Sequence, residues 1–353
     1  MKQNEQELLS QASDAVAQCF AEVPFCTLKW GQREVRVGAG QVDRVGKLRI
    51  EGRGERTVLM EVKKSGQPRN VREAILALSK YRASFKNAYG ILVAPFISDE
   101  SAEILAEEDV GYVDLAGNCR ICLDKVYIRK EGNSNKFTEK RDLRSLYSPK
   151  AERVLRILML QPKKPWLLKP LAEAAGVSLG QASNVKKLLA AREWLCPGEA
   201  GFSLTRPKAL LDEWSNAYRS SRNSSTEFYA MQSLDDVERA IAGENETKQS
   251  SAALTAFSAA ARLAPVVRYQ RVAAFVSEPS DAVASRLGWK RVTSGGNVTL
   301  LQPYDEGVFI GAKKVDGIQI VSPVQAYLDL QANPSRGAEA AEALLREVLE
   351  PSW

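Results

Sequence analysis

The amino-acid sequence predicts a multidomain protein of the α/β class. Its 353 residues exceed what one hydrophobic core organises, so two or three domains are expected. The first and last parts of the chain alternate between helical and strand periodicity of apolar residues, which is typical of mixed sheets covered by helices. The part between them shows helical periodicity followed by a short hairpin pattern. Hydrophobic residues at 44% and charged residues at 26% are typical of a globular protein.

The first block, predicted to comprise residues 1–131, is expected to fold as an α/β domain. The pattern predicts helices over residues 5–21, 70–85 and 98–108 and strands over residues 34–37, 48–50, 57–63, 90–94, 110–115 and 121–123. A buried strand, a helix and a further buried strand form a βαβ crossover, which implies a mixed sheet.

Three polar residues of this block form a candidate catalytic group. Glu61 and Lys63 lie two positions apart on the strand 57–63, so their side chains project from the same face. Asp43, on the preceding strand, is expected to join Glu61 in holding Mg²⁺, a cation that prefers oxygen ligands. Lys63 would then lie beside a scissile phosphate and stabilise the developing charge. The arrangement resembles the PD-(D/E)xK pattern of restriction-endonuclease-like nucleases.

Two interpretations of this group stay open. In the first it is a nuclease site, for which Glu7 or Glu22 of the first helix could supply a further carboxylate. In the second, the glutamate and the lysine are only the solvated end of a strand. Nucleases of this type often carry Gln four residues before Tyr on the following helix, and here Tyr81 is preceded at that spacing by Ala77. The sequence therefore favours the fold over phosphodiester cleavage.

The central block, residues 132–219, is predicted to be a winged helix-turn-helix with a linker. Ser148 is a favourable N-cap for its first helix, and the proline after it suits the first helical position. The second helix ends at Gly176, because glycine tolerates a left-handed turn. Ser178 caps a third helix, and the alternating residues 202–205 predict the return strand of a wing. Such a unit is built to place its third helix in a DNA major groove.

The third helix of this block carries candidate DNA-binding side chains opposite its apolar stripe. The base-reading candidates are Ser178, Gln181, Asn184 and Lys187, and the phosphate-binding candidates are Lys186, Arg206 and Lys208. Gln and Asn pair bidentately with adenine, whereas Lys and Arg attract phosphates. From Lys136 to Ser224 there are 17 lysines and arginines against 8 acidic residues, whereas the whole chain has 49 against 43. The basic excess therefore lies here, which favours nucleic-acid binding over a mere packing or dimerisation module.

The last block, residues 227–353, follows a polar linker predicted at 220–226 and is expected to be an α/β domain that binds a partner or DNA. The pattern predicts helices over residues 252–263, 281–287, 323–330 and 338–349 and strands over residues 272–275, 298–301, 308–310 and 315–320. This order resembles a minimal nucleotidyltransferase fold. That chemistry needs an Asp-x-Asp pair on a strand, which the strand 272–275 does not offer, so no catalysis is expected there.

Composition excludes several classes of function. The chain has no histidine, which rules out Ser-His-Asp triads and His-ligated zinc. Its five cysteines are an odd number, typical of reduced thiols in a cytoplasmic protein. Cys119 and Cys122 have zinc-like spacing, but the sequence offers no second pair. Neither a signal peptide nor a bilayer-spanning apolar run is evident, so a cytoplasmic protein without membrane association is expected.

Several segments of the sequence resemble one known family. They are GYVDLAGN at residues 111–118, LAEAAGVSLG at 171–180, DEGVF at 305–309 and VSPVQAYLDL at 321–330. These segments are similar to parts of the helix-turn-helix proteins grouped as AbiEi-type antitoxins, the regulators of type IV toxin–antitoxin systems. The first segment is fairly specific, whereas the helix-turn-helix segment is generic to many regulators.

The resemblance implies an autoregulating, sequence-specific transcriptional regulator with an antitoxin-like role in a defence or mobile-element operon. Its implied partners are double-stranded DNA and a nucleotidyltransferase-type toxin, and a homodimer is a further candidate assembly. DNA binding would require no cofactor. The alternative is a Mg²⁺-dependent PD-(D/E)xK-type endonuclease targeted by its helix-turn-helix, and Mg²⁺ would be required only in that case.

Overall fold

The computed structural model describes residues 2–37, 40–135, 146–247, 251–266, 268–333 and 336–353. The described residues form two compact units, one within residues 1–142 with 190–193 and the other within residues 143–189 with 194–353. In these ranges no helix is long and apolar enough to cross a membrane.

The first unit is a mixed α/β structure. Its helices are α1 (Lys2–Ala21), α2 (Pro68–Arg82) and α3 (Asp99–Glu107). Its strands are β1 (Cys26–Val37), β2 (Gly40–Ile50), β3 (Gly54–Val62), β4 (Ala88–Ala94), β5 (Gly111–Asp114), β6 (Cys119–Leu123) and β7 (Val126–Lys130). These strands form one sheet in which every strand lies beside its neighbour in the chain.

The centre of this sheet is parallel and its two ends are antiparallel. Strands β3, β4 and β5 run parallel because α2 and α3 link them, as the predicted βαβ crossovers require. One apolar cluster includes Val16 and Phe20 of α1, and another includes Val71 and Leu78 of α2. Because β3, β4 and β5 are parallel, their carboxyl ends meet at one edge of the sheet.

The first strands are longer than the sequence predicts. The predicted short strands at 34–37 and 48–50 belong to one hairpin of β1 and β2, which pair from Cys26 with Ile50 to Val37 with Gly40. Exposed polar side chains follow much of this hairpin, so its apolar periodicity is weak. At the other end of the sheet, β7 is a strand that the pattern misses. The polar residues 130–147 predict a linker, but Lys130 is the last residue of β7. Most of that predicted linker, residues 136–145, lies outside the described residues.

The second unit combines a helical segment with a further sheet. Its helices are α4 (Pro149–Leu160), α5 (Leu168–Ala175), α6 (Leu179–Ala191), α7 (Pro207–Ala217), α8 (Leu234–Thr247), α9 (Ala256–Leu263), α10 (Ser280–Leu287), α11 (Pro323–Gln331), α12 (Gly337–Leu344) and α13 (Glu350–Ser352). Its strands are β8 (Leu195–Gly198), β9 (Gly201–Leu204), β10 (Ser224–Tyr229), β11 (Ala252–Leu254), β12 (Val272–Val276), β13 (Lys290–Arg291), β14 (Val298–Gln302), β15 (Lys313–Val315) and β16 (Ile318–Ile320). Turns of 3₁₀ helix occur at Ser220–Arg222 and Glu306–Phe309, and a π-helical turn occurs at Leu345–Leu349.

Helices α4, α5 and α6 and the hairpin β8–β9 lie where the sequence predicts helices and a wing strand. Gly176 follows α5 with a φ of 60°, the left-handed conformation that ends many helices. Gly201 has a φ of 132°, and a Cβ there would lie 2.4 Å from the carbonyl oxygen of Trp166. This close approach lets Trp166 and Phe202 exchange backbone hydrogen bonds of 2.8 and 3.0 Å. The hairpin is thereby tied to the loop that precedes α5.

In the described part of the second unit, the remaining strands form a sheet in the order β13-β10-β14-β12-β11-β16-β15. Strand β10 begins at Ser224, inside the polar linker that the sequence predicts at 220–226, so that prediction is wrong there. Its serine and threonine side chains mimic a linker, and only its pairing with β13 and β14 makes it a strand.

Two further predictions for this unit are wrong. Residues 252–263, predicted as one helix, form strand β11 and helix α9 on either side of Thr255. Alanine dominates this segment and favours helices, so pairing with β12 overrides the local preference at residues 252–254. Residues 308–310, predicted as a strand, begin within the 3₁₀ turn that Asp305 caps through the Gly307 N–H.

The buried apolar side chains of the second unit form one continuous cluster. It includes Leu155 and Leu189 of the helical segment together with Phe275 and Leu300 of the sheet. The helical segment and the sheet therefore share a core. The finer division into domains at 1–131, 132–219 and 227–353 stays a prediction, as does the nucleotidyltransferase-like topology.

Candidate nucleic-acid interface and carboxylate–lysine site

Helix α6 is oriented by its N-cap and its apolar side. The Ser178 hydroxyl accepts a hydrogen bond of 3.2 Å from the backbone N–H of Gln181, which satisfies a donor of the first turn. Ala182, Val185 and Leu189 are buried. Because these apolar residues hold one side of α6 against the core, its other side faces away from the core.

The base-reading candidates lie at the start and on the outer side of α6. Ser178 and Lys187 are exposed, whereas Gln181 and Asn184 are partly exposed. Residues three apart on a helix are surface neighbours, so Gln181, Asn184 and Lys187 follow one another along the helix. The structure thus brings the four candidates together on one element, and base reading by them stays a prediction.

The phosphate-binding candidates differ in their surroundings. The ammonium of Lys186 lies 4.6 Å from the centre of the Phe202 ring, a cation–π contact with β9. Arg206 is exposed at the start of α7. Lys208 is paired with Asp212 at 3.0 Å, and the hydrogen bond that it donates to that carboxylate raises the pKa of Lys208. Lys208 therefore has a neutralising neighbour that the sequence analysis does not consider.

Further lysines flank this surface and are missed by the sequence analysis. Lys163 and Lys164 are exposed in the loop between α4 and α5. The Lys164 ammonium lies 4.0 Å from the centre of the ring of Trp166, which itself pairs with Phe202 of β9. The signal in the sequence is the segment Pro162–Pro165, which places two lysines between prolines just before the second helix.

An ion pair fastens α4 to the C-terminal block. The Arg153 guanidinium donates two hydrogen bonds, of 2.6 and 3.0 Å, to the carboxylate of Asp305. The two side chains are 19% and 10% exposed, so water screens the pair only in part. Asp305 opens the segment DEGVF of the family resemblance, so this segment contributes a contact to the helical segment.

A buried polar network makes a second connection to α4. Arg156 donates a hydrogen bond of 3.2 Å to the side-chain oxygen of Gln325, whose amide donates one of 3.0 Å to Asp329. Tyr218 and Thr255 also donate to the Asp329 carboxylate, at 2.7 and 2.5 Å. Burial raises the pKa of Asp329, and the hydrogen bonds from these neighbours oppose that rise. Gln325 and Asp329 of the segment VSPVQAYLDL therefore serve this network, whereas the buried Ser322 caps α11.

The carboxylate–lysine site lies in the first unit, at the carboxyl end of β3. Lys63 Nζ lies 3.0 Å from Glu61 Oε1, and the Asp43 carboxylate accepts a hydrogen bond of 2.7 Å from the Val62 N–H. Burial raises the pKa of Glu61, the charge of Asp43 raises it further, and Lys63 lowers it; the net direction is upward. The structure therefore brings Asp43, Glu61 and Lys63 together, as the sequence predicts.

One oxygen of this site has no partner among the residues that the structure describes. Glu61 Oε2 is buried, and among the described residues no donor reaches it. A buried carboxylate oxygen beside a second carboxylate fits a hard cation such as Mg²⁺, which Asp43 and Glu61 would hold. In the part of the chain that the structure describes, no group of three or more cysteine, aspartate and glutamate residues gathers as a metal site. Glu22, one of the two suggested further carboxylates, pairs instead with Lys130 at 2.5 Å, and Glu7, the other, is exposed on α1.

Tyr81 anchors the strand that carries Asp43. Its hydroxyl donates a hydrogen bond of 3.0 Å to the Gln41 carbonyl and accepts one of 3.2 Å from the Gln41 N–H. A Cβ at Gly40 would lie 2.7 Å from the same hydroxyl oxygen. Because Gln41 lies two residues before Asp43, this tyrosine fixes the start of β2 beside the carboxylate–lysine site.

The segment GYVDLAGN forms a hydrogen-bonded turn after β5. Asp114 is 1% exposed, and its carboxylate accepts backbone hydrogen bonds from Ile97 at 3.2 Å, Gly117 at 2.9 Å and Asn118 at 2.8 Å. The Asn118 amide adds a further hydrogen bond of 2.9 Å. The segment therefore closes this edge of the sheet, a structural role that the sequence analysis does not assign.

These features define the class of protein. It is an α/β chain in which the exposed helix α6 follows a left-handed turn. Its helix α4 is joined to the C-terminal block by an ion pair and a buried polar network. Residues 203–350 match the model of a family described as a transcriptional regulator, the AbiEi antitoxin of type IV toxin–antitoxin systems. The match supports the resemblance to AbiEi-type antitoxins over these residues, which make up less than half of the chain.

Solved structures show only partial likeness to the chain. An EndoMS complex with double-stranded DNA is 24% identical over 30% of this chain and 44% of that chain, with a TM-score of 0.23. A repair endonuclease from Pyrococcus abyssi is 23% identical over 29% and 46%, also with a TM-score of 0.23. EndoMS in its apo form is 21% identical over 30% and 45%, with a TM-score of 0.22. The chain covers less than half of each, and likenesses of this size do not bear on its activity. A comparison with curated proteins finds no match.

Proposed function

We propose that this chain is a sequence-specific transcriptional regulator of the antitoxin type that binds double-stranded DNA. The observation that carries the proposal is the outer side of α6, which follows the left-handed Gly176 and bears Gln181, Asn184 and Lys187. Helices α4 to α6 and the hairpin β8–β9 would act as a winged helix-turn-helix with α6 in the major groove. The match of residues 203–350 to a family of regulators supports the same conclusion.

The proposed interface divides its work between two kinds of side chain. The amides of Gln181 and Asn184 can pair bidentately with adenine, and each such pair discriminates against a wrong base by about 1–3 kcal/mol. The lysines 163, 164 and 186 would contact phosphates, which sets the register but reads no sequence. DNA binding would require no cofactor, because all of these groups belong to the protein.

The antitoxin part of the proposal concerns the C-terminal block. The family match covers most of residues 227–353, so this block is proposed to bind a nucleotidyltransferase-type toxin. The test is whether the full chain co-purifies with the product of the adjacent reading frame and restores growth of cells that express it. A homodimer is proposed for the DNA-bound state, and light scattering of the complex measures its mass.

DNA binding is tested by fluorescence anisotropy with duplex from upstream of the chain's own reading frame and with a random duplex. Asn184→Ala is expected to weaken specific binding by about 10-fold or more and to leave random-duplex binding unchanged. Lys186→Ala is expected to weaken both and to lower the salt slope by about 1. Lys313→Ala, at an exposed lysine of β15, is the matched control. Equal affinity of the wild-type chain for both duplexes would contradict sequence-specific binding.

A Mg²⁺-dependent DNA endonuclease is the second candidate, favoured by the unpartnered Oε2 of Glu61 beside Asp43 and Lys63. Supercoiled plasmid incubated with the chain and Mg²⁺ or Mn²⁺ should then be nicked, and Glu61→Gln should abolish the nicking. Mn²⁺ binding followed by electron paramagnetic resonance gives a readout that does not depend on activity. Glu55→Gln, at an exposed glutamate of β3, is the control. Without nicking or Mn²⁺ binding by the wild-type chain, the nuclease proposal fails.

A further inference from the structure

A cleft of about 750 Å³ opens in the C-terminal block, on one face of its sheet. Along β10, β12 and β14 alternate residues face opposite sides, and on the far side Phe228, Ala274 and Leu300 are buried. The residues that line the cleft from these strands are Ser225, Glu227, Ala273, Thr299 and Leu301. They are mostly small or polar, whereas a sheet face packed against another element carries large apolar side chains. These small and polar side chains therefore leave this part of the sheet face open as a cleft.

Three arginines, Arg268, Arg271 and Arg336, line the cleft in the described part of the chain, and all are exposed. Arg271 pairs with Glu227 at 2.7 Å, and Arg336 pairs with Glu339 at 2.8 Å. Arg268 has no ion-pair or hydrogen-bond partner for its guanidinium among the described residues. The cleft thus presents at least one cation whose charge no described neighbour neutralises.

The two acidic side chains that line the cleft, Glu227 and Asp329, have partners other than Arg268. Glu227 already accepts a hydrogen bond from Arg271. Asp329, at the buried end of the cleft, already accepts hydrogen bonds from Tyr218, Thr255 and Gln325. Both carboxylates are therefore occupied within the protein, and a ligand that enters the cleft meets guanidinium and hydroxyl groups.

We propose that this cleft binds a small organic phosphate of about the size of a nucleoside phosphate. A guanidinium presents donors in a planar fork that matches phosphate bidentately, which assigns Arg268, the cleft arginine without a described carboxylate partner, to the phosphate. The cleft is within the range of about 300–1,000 Å³ of sites that enclose whole small molecules, so it is larger than a lone anion needs. The hydroxyl and amide side chains of Ser225, Asn223 and Thr299 suit the polar groups of the rest of the ligand. The proposal does not depend on DNA binding or on a toxin.

Isothermal titration calorimetry of the full chain with AMP, ribose 5-phosphate, inorganic phosphate and citrate tests this assignment. AMP and ribose 5-phosphate are expected to bind more tightly than inorganic phosphate, and citrate is expected not to bind. Arg268→Ala is expected to weaken AMP binding by about 10-fold or more, the loss of one charge-assisted contact. Arg346→Ala removes an exposed arginine that does not line the cleft, and it should leave the affinity unchanged.

A second variant separates charge from geometry. Arg268→Lys keeps the charge but loses the fork, so it should bind AMP with an affinity between those of the wild type and Arg268→Ala. Three outcomes overturn the proposal: no binding of either organic phosphate at millimolar concentration, equal AMP affinity in wild type and Arg268→Ala, or binding of citrate in place of the phosphates. The calorimetry contains no DNA, so its result can be interpreted even if the proposed regulator function is wrong.

Discussion

The pair of Arg153 and Asp305 is expected to stabilise the second unit by holding α4 on the C-terminal block. Its two hydrogen bonds are 2.6 and 3.0 Å long, and the side chains are only 19% and 10% exposed. Hydrogen bonds to charged groups contribute about 1.5–3 kcal/mol, so we expect a coupling energy of about 2 kcal/mol between the two residues. Asp305→Ala alone should cost about 3 kcal/mol, because it leaves Arg153 unpaired and removes the acceptor of the Gly307 N–H.

Urea unfolding followed by tryptophan fluorescence measures this energy in a double-mutant cycle of Arg153→Ala and Asp305→Ala. Of the six tryptophans, only Trp30 lies in the first unit, so a Trp30→Phe background makes the signal report on the second unit. The exposed pair of Arg291 and Asp281, 3.0 Å apart, provides the matched cycle. Its coupling energy should be about 0–1 kcal/mol. A coupling energy for Arg153 and Asp305 no larger than that of the exposed pair would refute the reasoning.

The same pair predicts a dependence on pH. Burial raises the pKa of Asp305, but hydrogen bonds from Arg153 and Gly307 outweigh it and leave the pKa below its usual value. The unfolded chain therefore binds the proton more readily, and the contribution to stability is complete above the unfolded pKa of about 4. It is lost as the pH falls through the folded pKa. The stability difference between wild type and Asp305→Asn should accordingly shrink between pH 7 and pH 3.

Three further substitutions test the structural elements beside the candidate sites. Tyr81→Phe removes the hydrogen bonds to β2 and should lower the free energy of unfolding by about 1–2 kcal/mol, measured by urea unfolding with circular dichroism. Gly201→Ala should cost more than about 3 kcal/mol in the same urea unfolding experiment, because its Cβ would meet the Trp166 carbonyl oxygen at 2.4 Å. Gly295→Ala, at a φ of 73° with no described atom within 4 Å, should cost only about 1 kcal/mol. Asp114→Asn turns an amide towards backbone donors and should cost about 2 kcal/mol or more, with faster hydrogen exchange at the Gly117 and Asn118 amides; unchanged exchange would contradict the role given to the turn.

Several parts of the structure follow from neighbouring residues alone. Ser178 and Gly176 mark the limits of α5 and α6, because capping and a left-handed turn each depend on a few adjacent residues. The βαβ order of the first unit follows from apolar runs separated by a helical pattern. The proximity of Glu61 and Lys63 follows from strand periodicity, and the structure confirms it at 3.0 Å.

Other elements are not predicted from the sequence, because the local pattern of side chains does not show which segments pair as strands. Strand β10 carries serines and a threonine, and its apolar anchor, Phe228, comes near its end. The alanine-rich segment 252–263 favours a helix locally, but β11 is a strand because β12 and β16 lie beside it. The site of Asp43 required the hairpin of β1 and β2, whose polar side chains hide its true length.

The sequence by itself determined where α5 ends and α6 begins, which segment bears the exposed polar side of α6, and which family the last part of the chain resembles. Only the folded chain shows what the family-like segments do. Asp305 lies 152 residues from Arg153, Gln325 lies 169 residues from Arg156, and Asp114 holds Ile97 from 17 residues away. Local spacing carries no information about such pairs. Their partners meet because hydrophobic burial brings distant segments together, and their strength comes from the exclusion of water that the same burial produces.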